Sequence, residues 1–285
     1  MKMAPGCYEC LRRLVRQAAE LATDDVPLKQ RAVREATKIL DDEFSSSQPS
    51  LGIAARIHEI VREVTRNPDP YRAMKEREMT LARELYPELS LRAKRSNLPE
   101  DGLRGRLQLA AAANALDFFK DPGSTRDDIR KTVRFVIDDS EQLEVKLRNA
   151  HKVLYLADNA GELHFDLPLV RWMQQFARVI YVVKPSPVQN DLTLEDVRRS
   201  GLEAEFGRVM STGVASPGVV FSLASAQFKR EFESADFVFA KGMGHYEALS
   251  ELPPEGRFFY CLKAKCRPVA DSLGVPLDSY VAMLQ

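Results

Sequence analysis

Apolar residues follow two regimes along the chain. Up to residue 149 they recur at three- and four-residue spacing, and from His151 they come as short solid runs between polar turns. Spacing of the first kind marks helices with one buried face. It predicts helices over 7–22, 28–43, 51–66, 71–87, 104–119, 125–136 and 139–149. The breaks FSSSQPS (44–50), NPDP (67–70), NLPEDG (97–102) and DPGS (121–124) are rich in Pro, Gly, Ser or Asp, as turns require. In the second regime, strands are expected at 152–157, 178–183, 207–212, 236–240 and 257–262. Helices are expected between them at 163–177, 193–200, 218–233 and 244–251. Strand, turn and helix in repetition argue for a mostly parallel sheet with crossover helices. The fold expected is therefore α/β with an all-α N-terminal part: a helical region over 1–149 and a Rossmann-like domain over 150–285.

The chain pivots on KVLYLADNAGELHFD (152–166), where an apolar run passes through Asp158-Asn159-Ala160-Gly161-Glu162 into an amphipathic segment. Two carboxylates and an amide thus stand where a strand turns into a helix. In a parallel sheet that turn lies on the carboxyl edge, where ligands bind. A second reading makes Asn159 a helix cap and Glu162, three residues on, its capping-box partner.

Later strands end in similar chemistry. After 178–183 come Lys184 and Asn190-Asp191; after 207–212 come Thr212 and Gly213; after 236–240 come Lys241-Gly242-Met243-Gly244 and Glu247. Hard cations take oxygen ligands from carboxylates, amides and water. Asp158, Asn159 and Asp191 could supply three such oxygens. Lys184 or Lys241 could neutralise a phosphate, and backbone N–H groups at glycine turns favour anions. Upstream, the apolar helix 104–119 carries two polar residues three apart, Asn114 and Asp117, and so on one face.

Bulk properties exclude several alternatives. Lys plus Arg equals Asp plus Glu at 41 each, so no global field draws in nucleic acid or an anionic membrane. No apolar run approaches the ~18 residues of a membrane span, and MKMAPGCYECLRRLVRQ has no apolar signal core. Four cysteines in a chain this long do not make a disulfide scaffold, so reduced thiols and a cytoplasmic setting are expected. Neither a Gly-x-Gly-x-x-Gly turn nor a Walker A loop is present, which argues against dinucleotide or P-loop chemistry.

The ordered pieces CYEC (7–10), NALD (114–117), LADNAGELHFD (156–166), VVKPSPVQND (182–191), STG (211–213), ADFVFAKGMGHYE (235–247) and KAKC (263–266) span nearly the whole chain. In these the sequence resembles the metal-dependent damage-control phosphatases, specifically the stand-alone microbial branch with an N-terminal CxxC, once a domain of unknown function. The resemblance implies a helical part on a Rossmann-like part and hydrolysis of small phosphate monoesters, such as sugar phosphates or damaged phosphorylated metabolites. It implies a divalent cation, Mg²⁺, Mn²⁺, Ni²⁺ or Co²⁺, on Asp158, Asn159 and Asp191. Asn114, Asp117, Glu162, Lys184, Lys241 and Glu247 would line the site, with helix 104–119 packed on it; Thr212 and Gly213 join them as substrate-binding residues of the third strand end. His245 stands where the family commonly has Asn, which bears on substrate identity.

Three points stay open at the sequence level. Asp158 could attack phosphorus itself or leave that to water. Cys7 and Cys10, with Cys266, could form a second metal or redox site, although one CxxC lacks the second pair of a convincing zinc site. The rivals to hydrolysis are a Rossmann-like methyltransferase, disfavoured by Lys184-Pro185 where a ribose-binding acid is needed, and a non-catalytic metal or metabolite-binding protein. Oligomeric state leaves no mark in the sequence.

Overall fold

The computed structural model describes residues 1–45, 49–95, 102–115 and 127–285. Helices α1 (Gly6–Ala22), α2 (Val26–Glu43) and α3 (Ser50–Thr65) pack on one another. Ala18, Ala36 and Ala54 stand among Leu14, Val15, Leu40, Ile57 and Val61 in their shared core, so the helices approach closely. Asp25 accepts from Leu28 N at 2.8 Å and Pro27 occupies the first turn, which starts α2 there. Two more helices, α4 (Arg72–Arg95) and α5 (Leu103–Ala113), carry the chain to the sheet.

That sheet has seven strands: β1 (Phe135–Asp138), β2 (Lys152–Leu156), β3 (Arg178–Val183), β4 (Arg208–Ser211), β5 (Phe237–Lys241), β6 (Phe258–Lys263) and β7 (Tyr280–Leu284). Their order is β1-β7-β6-β5-β2-β3-β4. Every pairing is parallel except β6 with β7, so β7 and β1 run against the other five. Helices α6 (Ser140–Asn149), α7 (Leu163–Met173), α8 (Leu194–Ser200), α9 (Glu203–Phe206), α10 (Ala226–Glu233), α11 (Gly242–Leu249) and α12 (Arg267–Leu273) connect or flank the strands, and residues 127–130 form a further helical turn.

Alternation along each strand sorts side chains to two cores. Val153 and Tyr155 face α5, α6 and α7, together with Tyr181, Phe239 and Phe259. Leu154 and Leu156 face α10, α11 and α12, together with Ile180, Val238 and Tyr260. Burial on both faces explains why these strands read as solid apolar runs.

The five expected strands are present within a residue or two at each end. Other expectations are corrected. FVID (135–138) is a strand, although the helix expected at 125–136 covered its start; Phe135 pairs with Tyr280 and Ile137 with Val281. The sheet therefore reaches back before residue 150. β7 was not anticipated. β1 is a four-residue edge strand whose one partner, β7, lies far along the chain, and β7 sits between β1 and an antiparallel β6; neither pairing leaves a periodic signal in the sequence. The helix expected at 218–233 begins at Ala226, because Gly218 takes φ +62° and Ser225 Oγ accepts from Phe228 N as the cap. Of the helix expected at 104–119, α5 ends at Ala113, and residues 116–119 lie outside the described residues.

Phe239 is fully buried at the centre, its ring 4.7 Å from that of Tyr155 and 5.5 Å from that of Phe259. Phe239→Ala should cost about 3–5 kcal/mol in equilibrium urea unfolding. A loss below about 1 kcal/mol would mean that the aromatic layer collapses to fill the gap.

Candidate active site

From β2 the chain moves outward through β3 to β4, then crosses to β5 and β6 on the other side. The carboxyl ends of β2 and β5 thus form the switch point of the sheet, where a crevice opens by topology alone. Asp158 and Asn159 leave β2 at that point, followed by a 3₁₀ turn, Ala160–Glu162, that leads into α7. Gly242 opens α11 beside them at φ +77°; a Cβ there would lie 2.0 Å from Asp158 Oδ2. Only glycine lets this carboxylate occupy its place.

The loop after β3 closes over the same point. Leu192 N donates to Asp158 O at 2.8 Å, Ala160 N to Asn190 O at 2.8 Å, and Asn159 pairs with Asp191 as an isolated bridge. Asp191 is thereby brought beside Asp158 and Asn159. Lys184 Nζ stands 3.5 Å from Asp191 Oδ2 and donates to Gly218 O.

Two amides organise the carboxylates. Asn114, capping α5, donates to Asp158 Oδ2 at 2.9 Å and Glu162 Oε1 at 2.8 Å, while its carbonyl accepts from Lys263 N at 2.9 Å. Asn159 Nδ2 donates to the same two oxygens at 3.0 and 2.7 Å. Asn159 occupies the N-cap position of the 3₁₀ turn, as the alternative reading had it, but its side chain makes no capping hydrogen bond.

Lys241 is fully buried and contacts Glu162 Oε2 at 2.6 Å, Asp166 Oδ1 at 2.7 Å and Ala110 O at 2.9 Å. Two of its N–H groups donate, to Asp166 Oδ1 and Ala110 O, and Glu162 is held beside them as an ion pair. In this arrangement the lysine holds two carboxylates, Glu162 and Asp166. Asp166 also accepts from Tyr155 OH at 2.8 Å and Tyr181 OH at 2.9 Å. Sequence reasoning left Asp166 without a role. The signal was its position four residues after Glu162, on the same helical face.

The electrostatics follow from burial. The Asp158 carboxyl is pushed well up, first by burial, then by Glu162 and Asp191, against Lys265 and Lys241. Asp191 is pushed up to about 6 by burial, with Lys184 opposing. Burial would also raise Glu162, but Lys241, Asn114 and Lys265 together hold it low. Burial lowers Lys184, against Asp191 and Asp158.

Other expected site residues lie apart from this cluster. Thr212 Oγ1 donates to Val214 O at 2.9 Å, and Gly213, at φ +77°, is pressed against Ser225, so both shape the turn after β4. Glu247 accepts from Ser50 Oγ at 2.6 Å, and its backbone carbonyl accepts from the terminal amine of Met1; its described contacts are with the helical part. Asp117 lies outside the described residues. His245 is buried with Nε2 3.0 Å from Ala157 O, on the peptide before Asp158, and burial holds it well below the usual histidine range. Burial pushes the Cys266 thiol up to about 12, with Glu247, Cys10 and Cys7 adding to the rise. Among the described residues no three His, Cys, Asp or Glu side chains are already drawn together as a metal-holding group, at the thiols or at the carboxylates.

A family model for the damage-control phosphatase ARMT1-like domain matches residues 3–281. The chain belongs to that family. It is 32% identical to the damage-control phosphatase PH1575 of Pyrococcus horikoshii, covering 99% of this chain and 98% of that one. A damage-control phosphatase of Archaeoglobus fulgidus is 30% identical, with 99% of each chain covered. The crystal structure of PH1575, a DUF89 family protein, superposes with a TM-score of 0.86 at 31% identity, covering 100% of this chain and 99% of that one. In this ARMT1-like chain the helical part and the sheet are thus matched together.

Two predictions come from the geometry. Lys241→Ala leaves Glu162 and Asp166 buried without their ammonium and should lower stability by about 3–5 kcal/mol in urea unfolding. Retained stability would show that protonation of one carboxyl compensates. The second concerns pH. A carboxyl raised from its ordinary value to about 6 keeps its proton in the folded chain while the unfolded chain has lost it. Its contribution therefore falls as pH rises from about 4 to 6 and then levels off. In chelator, the melting temperature of Asp191→Asn relative to wild type should rise across that window; a flat difference would place Asp191 in water.

Proposed function

We propose that the chain is a divalent-cation-dependent phosphatase acting on small phosphate monoesters, sugar phosphates or damaged phosphorylated metabolites among them. The observation that carries this reading is the excess of carboxylate at the switch point. Asp158, Glu162, Asp166 and Asp191 meet there beside two buried ammonium groups, Lys184 and Lys241. Such a surplus raises the carboxyls' affinity for protons and equally for a hard cation. The donor set of Asp158, Asn159 and Asp191 fits Mg²⁺, Mn²⁺, Ni²⁺ or Co²⁺, with Gly242 leaving the space that a Cβ would take from Asp158.

A cation bound there would polarise the phosphoryl group and make water a better nucleophile. The protein's own residues do the rest. Asn114 and Asn159 hold Asp158 Oδ2 by two N–H donors, which orients the carboxylate and draws electron density from it. That favours Asp158 as a ligand and water as the attacking group. Lys184, oriented by Gly218 O, supplies positive charge beside Asp191 where phosphoryl oxygens would collect. Family membership and the buried lysine after β3 both weigh against an adenosyl-cofactor reading.

A panel of phosphorylated metabolites assayed with each of the four cations should show many turnovers of phosphate release, abolished by chelator. Asp158→Asn and Asp191→Asn should each abolish release. The cation should raise the melting temperature of the wild type but of neither variant, by mass action on the folded state. Variants that bind the cation as the wild type does would place the site elsewhere, and binding without turnover would make the chain a binding protein.

A further inference from the structure

We propose that Glu78, on α4 of the helical part, is a positioning residue for Asp191, acting through the side chain of Asn190. This rests on the cation-dependent reading above. Asn190 is fully buried and its Nδ2 donates to Glu78 Oε2 at 2.9 Å, while its Oδ1 finds no hydrogen-bond partner among the described residues. Glu78 is thus the hydrogen-bonding anchor of that amide among the described residues. The backbone of Asn190 faces the other way, accepting from Ala160 N at 2.8 Å. One residue therefore links α4 to both loops that carry the proposed ligands: its side chain reaches back to the helix, and its carbonyl reaches across to the turn after Asn159.

Two further contacts make α4 a clamp over this loop. Lys75, 2% exposed and three residues before Glu78, lies 3.2 Å from Asp196 Oδ2 and 2.8 Å from Asp69 Oδ2. Asp196 accepts from Thr193 N and Oγ1 at 3.1 and 2.7 Å and so closes the start of α8. The loop is thus gripped at Asn190 and at Asp196, with Asp191 between the two grips. α4 also packs directly on the 3₁₀ turn Ala160–Glu162. A hydrogen bond to a carboxylate in a buried setting is strong and directional, which a packing contact is not.

Partners that orient a ligand from behind typically change metal affinity by about 10–100-fold when removed. Glu78→Ala should weaken Mn²⁺ binding, measured by titration calorimetry, by a factor in that range. It should also raise amide hydrogen exchange, measured in chelator, over residues 188–196 and not over the α1–α3 core. Glu78→Gln keeps the shape and an acceptor oxygen for Asn190 and should hold both quantities within about threefold of wild type. Unchanged exchange in 188–196 with Glu78→Ala would overturn the assignment. So would an exchange rise spread over the whole chain, or an unfolded variant, since either makes Glu78 a general stabiliser. A wild type that binds no divalent cation would overturn the functional reading instead, and exchange without metal would still decide the role of Glu78.

Discussion

The structure depends on how a crowd of negative charge is held at the end of an apolar sheet. Lys241 lies between Glu162 and Asp166 with no exposure to water. Either partner alone would leave a buried charge that costs several kcal/mol, so the three groups stand or fall together. Tyr155 and Tyr181 extend the network into the aromatic layer of the sheet. The central core and the polar site are therefore one packed object. Asp191, by contrast, has Lys184 at 3.5 Å, and burial keeps the carboxyls of both Asp158 and Asp191 raised despite the lysines near them. These two carboxyls remain the underneutralised members of the group, which is the property a cation site needs.

The helical part takes a direct share in this arrangement. Asn114, at the end of α5, bonds Asp158, Glu162 and the backbone of β6 at once, and so fixes the height of the helix over the strand ends. Ala110 adds its carbonyl to Lys241 from the same helix. The alanine run before Asn114 has a physical purpose here. Small side chains let α5 lie close enough to α7 and β6 for its end to reach the carboxylates.

His245 meets the site from the backbone side. Its ring meets the carbonyl of Ala157, the residue just before Asp158, and does not enter the carboxylate cluster. A side chain there influences the site by setting the path of the backbone into Asp158.

By itself the sequence determined the strand–turn–helix alternation after His151 and the gathering of Asp158, Asn159, Lys184 and Asp191 on one edge. These are local matters: apolar runs of strand length are legible in a window of a few residues, and parallel strands align their ends. It also showed Asn114 as a polar residue on an apolar helix. What it could not decide was which charges face each other. Lys241 and Lys184 look alike in sequence, yet one is buried against Glu162, Asp166 and Ala110 while the other stands beside Asp191. Glu247 and Glu162 both follow a strand-end glycine turn, yet one faces α3 and the other the cluster. Strands β1 and β7 acquire their structure only from each other and from β6. Which strands pair, as Phe135 does with Tyr280, is a tertiary matter, because its energy comes from desolvation and contact geometry that no local pattern encodes.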